Sequence, residues 1–213
     1  MSKVKLKHAS GNSMAIAAPP TNPASDLELK LPATIGTAGQ VLSVDGSGNL
    51  TWTNGGWVKI ASTTHSSGAT IDIETTAIFD GTYDFIQIYI YDIRPATDSV
   101  SLHYRIKQSG SYVSSGDYHG NVIDWRFGTS TIGNDNYNSA TSGKLTPARV
   151  GNAADDSCHM IIDITKPNDS ALHPVLDWKA WGKDGSGENF TYLGSSMCDA
   201  NAASVAWTGL QLL

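Results

Sequence analysis

The sequence has little charge, few cysteines and no long apolar segment, and each shortage excludes a class of protein. Of 213 residues, 14 are Lys or Arg and 20 are Asp or Glu, a charged share of 16% against roughly 25% in typical globular domains. The scattered basic residues and the formal net charge of −6 argue against nucleic acid or an acidic membrane surface as partner. No segment approaches the roughly 20 apolar residues that span a bilayer, and no signal peptide is predicted.

Sequence motifs of catalysis and metal binding are also missing. There is no His-x-x-x-His or Cys-x-x-Cys pair, and no glycine loop precedes Lys-Ser or Lys-Thr. Two Asp-Gly-Ser-Gly segments begin like calcium loops at Asp45 and Asp184, but their twelfth positions are Gly56 and Ser195. Because the closing carboxylate is missing, both segments are predicted to be turns. We therefore expect no enzyme, no cofactor and no metal site.

The two cysteines, Cys158 and Cys198, occupy apolar alternating positions of predicted strands. Small buried thiols in a reducing compartment are the favoured interpretation, with a disulfide or a metal ligand as the alternative. The sequence does not tell whether the two residues are close in space.

Gly, Ser, Thr and Asn take the place of charged residues, and runs of helix-forming residues are missing, which predicts an all-β protein. Period-two alternation is sharp after residue 57: Ile86, Ile88 and Ile90 share one strand face. The predicted strands cover residues 58–60, 71–73, 84–92, 100–106, 158–164, 175–182, 189–194 and 205–212. An antiparallel, jelly-roll-like β-sandwich buries one face of each such strand.

The first 55 residues differ from the rest, so the chain is divided into residues 1–55 and 56–213. In the first segment the apolar residues form short alternating groups separated by Gly, Pro, Asn and Asp. So few large side chains cannot enclose a core against a backbone ordering cost of roughly 1–2 kcal/mol per residue. Copies of the chain are expected to supply the missing apolar surface.

Two phrases in this segment, GNSMAIAAPPTNP at 11–23 and LPATIGTAGQVLSVDGSGNLTW at 31–52, carry a family resemblance. They resemble the stalk or collar segment of tail fibres and other virion structural proteins of tailed bacteriophages, especially those of marine and cyanobacterial hosts. The resemblance implies a homotrimer in which an intertwined β-prism collar precedes the sandwich head. It also implies a virion protein, assembled in the host cytoplasm, with other tail or capsid proteins as partners. The residues assigned to the trimer core are Leu6, Met14, Ile16, Leu29, Leu31, Val41, Leu50 and Trp52.

Aromatic residues within the polar stretch 109–154 and later in the chain make the head a candidate for binding host-surface polysaccharide, since exposed aromatics stack on sugars. Trp125 and Phe127 are predicted to point inward together from a short strand. The candidate glycan contacts are Tyr118, His119, Tyr137 and Trp181.

Two alternatives remain at this point. The first is a capsid decoration protein with a purely structural role, because the collar phrase begins almost at the first residue. The second, less favoured, is a polysaccharide depolymerase, for which the only local acid cluster is Asp155, Asp156 and Asp163.

Overall fold

A computed structural model describes residues 3–7, 9–17, 20–21, 23–26, 28–128, 132–147, 149–169, 172–199 and 205–213. Over these ranges the protein is all-β: it has no α-helix, and a single 3-10 turn covers Thr76–Ile78. The chain divides into two compact units, Met1–Lys59 and Ile60–Leu213, where the sequence placed the boundary between residues 55 and 56.

Within its described residues, the first unit contains four short strands paired as two separate hairpins. β1 (Lys3–Lys7) pairs with β2 (Ser13–Ala17), and β3 (Gln40–Val44) pairs with β4 (Leu50–Asn54). Between residues 28 and 31 the described chain provides only an isolated bridge, Lys30 to Asn49.

The turn predicted at residue 45 joins β3 to β4. The Asp45 carboxylate accepts hydrogen bonds from the Asn49 side-chain amide at 2.7 Å and from the Ser47 and Asn49 backbone N–H groups at 2.9 Å. These bonds lower the pKa of Asp45 below its ordinary value, and the bond from the Asn49 side chain has the largest effect. The acid therefore closes the hairpin through its own loop.

The part of the second unit that the structure describes contains eleven strands in two antiparallel sheets. The large sheet has the order β10-β9-β14-β13-β12-β6, and the small sheet has the order β11-β7-β15-β5, with β8 paired to β7. The strands are β5 (Ile71–Ile73), β6 (Phe85–Ile93), β7 (His103–Gln108), β8 (Ser111–Tyr112), β9 (Tyr118–Arg126), β10 (Ile132–Ala140), β11 (Gly143–Lys144), β12 (Cys158–Thr165), β13 (Val175–Lys183), β14 (Asn189–Cys198) and β15 (Gly209–Leu212). The prediction of a strand at residues 58–60 was wrong, because these residues have no strand partner among the described residues.

The two sheets enclose one hydrophobic core, as in a β-sandwich. The alternation predicted on β7 and β12 is confirmed: Tyr104 and Ile106 are buried, as are Met160 and Ile162. Hydrogen bonds join the sheets across the core, and two of them involve large buried aromatic side chains. The Tyr104 hydroxyl donates to Ser196 Oγ at 2.6 Å, and Trp178 Nε1 donates to the Leu145 carbonyl, beside β11, at 2.7 Å.

A glycine makes room for the largest of these side chains. Trp178 on β13 lies directly opposite Gly194 on β14. A Cβ atom added at Gly194 would lie 2.0 Å from Trp178 Cζ2, well inside van der Waals contact. The indole therefore packs flat against bare backbone, and no larger residue fits at position 194 while the ring stays in place.

One carboxylate, Asp124, enters the core from β9 and is 5% exposed. Its Oδ2 accepts hydrogen bonds from Arg126 Nε and Nη2, both at 3.1 Å, and lies 3.9 Å from Arg149 Nε. Its Oδ1 has no hydrogen-bond partner among the described residues. The two arginines are thus the groups that compensate this buried charge.

The two cysteines are buried, as predicted, and they are far apart. Cys158 on β12 aligns with Gly182 on β13, which aligns with Phe190 on β14. Cys198 lies eight residues further along β14, or ~27 Å at about 3.4 Å per residue. This separation rules out a disulfide between the two thiols in the folded chain.

The thiols are expected to be unreactive in the native protein. Burial raises the pKa of Cys158 to about 12, so little thiolate forms near neutral pH. A thiol-specific chromogenic disulfide should detect no thiol within minutes in buffer and two per chain in denaturant. Rapid native labelling of either cysteine would contradict the buried placement.

Candidate functional site

The outer face of the large sheet carries a line of aromatic side chains that crosses the strands. His159 on β12 aligns with Trp181 on β13, and Thr191 on β14 aligns with both Trp181 and Trp125 on β9. Tyr91 on β6 extends the line beyond His159. We call Tyr91, His159, Trp181 and Trp125 the aromatic row.

A β-bulge in β6 brings Tyr91 into this row. Between the pairs Ile90–Met160 and Ile93–Cys158, β6 contributes two residues and β12 one. Asp92 takes the left-handed conformation there, with φ of 58°, which aspartate tolerates better than most residues. The Asp92 backbone N–H donates to His159 Nδ1 at 3.3 Å, so the bulge also fixes the imidazole.

Four rings form a continuous chain at the β6 side of this face. Tyr89 and Tyr91 are stacked, with centroids 6.3 Å apart and planes 13° apart. Tyr91 and His159 are 6.1 Å apart and tilted by 59°, and His159 and Trp181 are 6.1 Å apart and stacked at 23°. Lys179 Nζ lies 6.0 Å from the Trp181 ring centroid. Tyr89 and Tyr91 are exposed, His159 and Trp181 are half-buried, and the four rings together form one aromatic surface.

A second line, the polar row, crosses the same face and consists of Gln87, Asp163, Asp177, Ser195 and Asn121. The Gln87 amide donates to Asp163 Oδ1 at 2.7 Å, and the Tyr89 hydroxyl donates to Gln87 Oε1 at 2.5 Å. Asp163 and Asp177 are direct cross-strand partners. Like charges in such a pair destabilise a sheet, so this pair is a cost to the fold.

The two rows frame a shallow apolar floor. His159 and Asp163 are four residues apart on β12, as are Trp181 and Asp177 on β13, so the rows lie ~13 Å apart. Between them, half-buried Ile161 forms the floor beside Lys179. The frame therefore offers ring faces on one side and fixed carboxylate and amide groups on the other.

Of the four predicted glycan contacts, Trp181 belongs to this face and Tyr118 does not. Tyr118 has no exposed surface: its ring packs edge-on against Tyr104, and its hydroxyl donates to the Val113 carbonyl at 3.0 Å. Burial raises the pKa of Tyr118 above its ordinary range. The prediction of an exposed Tyr118 was wrong, because β9 begins there and turns this residue into the core.

The other two contacts lie towards the far edge of the large sheet. Tyr137 is half-buried against the core, and its ring covers Gly120. His119 is half-exposed, with its Nδ1 against the Asn138 amide oxygen and its Nε2 3.1 Å from Asp199 Oδ1. Neither residue touches the aromatic row, so the structure does not gather the four predicted contacts into one site.

Trp125 and Phe127 were predicted to point inward, and this was wrong. They are 55% and 69% exposed, and the inward positions of β9 are taken by residues such as Val122 and Asp124. Trp125 is thereby available to the outer face.

Most of the predicted trimer-core residues are exposed within the single chain. Leu6, Ile16, Leu29, Leu31 and Val41 are exposed, and Leu50 and Trp52 are half-buried. Met14 belongs to β2, but its side chain lies outside the described residues. The Trp52 indole is held locally, since its Nε1 donates to the Thr34 carbonyl at 2.8 Å.

The three clustered acids of the sequence do not converge on one site. Asp155 forms an ion pair with Lys183 at 2.5 Å, Asp156 is buried and accepts from the Ala153 N–H at 3.3 Å, and Asp163 lies in the polar row. Over the described ranges, no group of three or more His, Cys, Asp or Glu side chains is placed to hold a metal ion. Nor is any helix there long and apolar enough to cross a membrane.

Comparison with protein-family models, with curated proteins and with solved structures finds no match.

Proposed function

We propose that this chain is a structural subunit of a phage virion, assembled as a homotrimeric fibre or appendage through residues 1–59. The observation that carries the proposal is the exposure of apolar side chains in that unit. Leu31 is 79% exposed, Ile16 is 71% exposed, and Ile35 is 95% exposed.

The secondary structure of this unit supports an assembly. An isolated two-stranded hairpin is at best marginally stable in water, and both hairpins here are of that kind. Many large exposed apolar side chains in one such segment are typical of an interface. An intertwined trimeric β-prism would cover these residues with the same residues of neighbouring subunits. Tail or capsid proteins are the expected further partners.

A jelly-roll assignment for the head is supported by the order of its strand pairs. The pairs β5–β15, β6–β12, β7–β11 and β9–β10 are nested inside one another along the sequence. Such nesting is what results when one long antiparallel hairpin wraps around a barrel, as in a jelly roll. β13 and β14 are then an inserted hairpin between β12 and β9.

The mass of the purified protein in solution tests the assembly. Light scattering after size exclusion at micromolar concentration should give three times the chain mass of 22.6 kDa. Ile16→Asp and Leu31→Asp should each give a monomer, because a carboxylate in the shared core costs several kcal/mol per chain. Leu172→Asp, an exposed position of the second unit, is the matched control and should stay trimeric. A monomeric wild-type chain would overturn the proposal.

Recognition of a host-surface glycan by the head is a second candidate function, compatible with the first. The aromatic row favours it, because exposed rings beside fixed hydrogen-bonding groups are the usual components of sugar sites. Binding of the purified chain to host envelope polysaccharide tests this part separately from the mass measurement.

A further inference from the structure

We infer that an uncharged polysaccharide binds across the outer face of the large sheet, with sugar rings stacked on the aromatic row and hydroxyls bonded to the polar row. This inference rests on the proposed glycan recognition and is independent of trimer assembly. It assigns the site and the chemical class of ligand.

The aromatic rings form an extended apolar surface on this face. Tyr89, Tyr91, His159 and Trp181 lie side by side with successive centroids 6.1–6.3 Å apart. Trp125 continues the row two strands beyond Trp181, or ~10 Å at the usual strand spacing. These ring faces are surfaces on which the apolar face of a sugar ring can stack.

The polar row contains an unfavourable pair of acids. Asp163 and Asp177 face each other across β12 and β13, and Lys179 in the framed floor lies near the Trp181 ring. Sugar hydroxyls donate hydrogen bonds to carboxylates without adding charge, so a neutral glycan would offset the cost of this pair. An acidic polysaccharide would add repulsion to a chain whose net charge is already −6.

The hydrogen-bond acceptors of the polar row are held in fixed orientations. Asp163 is oriented by Gln87, which is oriented in turn by Tyr89, so one of the stacking rings also fixes the polar row. Groups ordered before binding cost less entropy when the ligand arrives. The ~13 Å between the rows corresponds to a short run of sugar units lying along the strands.

A second copy of the chain fits this face less well. Charged residues are depleted from the cores of protein interfaces, and docking here would desolvate Asp163, Asp177 and Lys179 together. Self-association through the face is therefore the competing outcome that the experiment must detect.

Native affinity electrophoresis of the full chain tests the inference, with gels containing mannan, dextran, laminarin or galactomannan as neutral probes and alginate as the acidic probe. We expect retardation by at least one neutral polysaccharide. Trp181→Ala and Asp177→Ala should each weaken binding about tenfold, the change that ~1.4 kcal/mol produces. Trp57→Ala removes an indole that is 70% exposed in the first unit, and should bind like the wild type. Trp181→Phe should retain most of the binding, because a phenyl ring still stacks.

Four results would overturn the inference. Retardation that Trp181→Ala leaves unchanged would place the glycan site elsewhere while preserving glycan recognition. Retardation by alginate alone would refute the ligand class. No retardation by any probe would remove glycan recognition itself, without touching the trimer mass. Concentration-dependent association that Trp181→Ala abolishes would make a second copy the occupant.

Discussion

Gly194→Val is expected to unfold the head. The added Cβ alone would lie 2.0 Å from Trp178 Cζ2, and the two methyl groups would occupy more of the volume that the indole fills. The ring cannot tilt away without breaking its 2.7 Å hydrogen bond to the Leu145 carbonyl on the facing layer. Overpacking and loss of a buried hydrogen bond together should cost more than about 4 kcal/mol, a large part of a typical domain's stability of roughly 5–15 kcal/mol.

Urea denaturation followed by tryptophan fluorescence measures this effect. Gly46→Ala is the control, because a Cβ at that position meets no atom within 4 Å, and its midpoint should equal that of the wild type. Gly194→Ala should fall between the two, since it adds the Cβ without the methyl groups. A Gly194→Val protein with an unchanged midpoint would mean that Trp178 does not pack on β14 as described.

Arg126→Met should destabilise the head by about 3–5 kcal/mol, the cost of leaving a buried charge without its partner. Arg126 supplies both 3.1 Å hydrogen bonds to Asp124 Oδ2, whereas Arg149 is 3.9 Å away. Asp124 is 5% exposed and cannot turn to water without leaving the core. The unfolding free energy from urea titration is the measurement.

The matched rescue is the double variant Asp124→Leu with Arg126→Met. It removes both charges and fills their space with apolar groups, a replacement that is often neutral or stabilising. Most of the lost stability should return, giving a coupling free energy of similar size to the single loss. Additive effects of the two substitutions would show that the pair does not interact in the folded protein.

The strands with one clearly apolar face could be predicted from sequence. On β7 and β12 the apolar residues alternate strictly with polar ones, and Tyr104 and Met160 are buried as the pattern requires. The β13–β14 hairpin was likewise predicted from the turn-rich residues between its strands, where Asp184 accepts hydrogen bonds from the Ser186 and Glu188 N–H groups. Local periodicity and turn chemistry decide these elements.

β9 could not be predicted in this way, because both of its faces mix apolar and polar residues. Ile123 and Trp125 point outward, and the charged Asp124 points inward. The inward acid is tolerated only because Arg126 and Arg149 reach it, and Arg149 lies in a separate segment of the chain. An ion pair between distant segments of the chain cannot be predicted from the residue pattern of one strand.

Only part of the aromatic row could be predicted from the sequence. Trp181 was predicted as a candidate contact, but its alignment with His159 and Trp125 depends on strand order, and the position of Tyr91 beside His159 depends on the bulge at Asp92. Neither the order of six strands nor a one-residue register shift follows from composition or periodicity.

The position of β15 has a consequence for synthesis in the cell. This strand is the last in the sequence, yet it lies between β5 and β7, pairing Leu210 with Ile73 on one side and with Ile106 on the other. β5 and β7 are not hydrogen-bonded to each other. Until β15 has been synthesised, both strands therefore lack the strand that lies between them. The small sheet is therefore completed only after translation has passed residue 212.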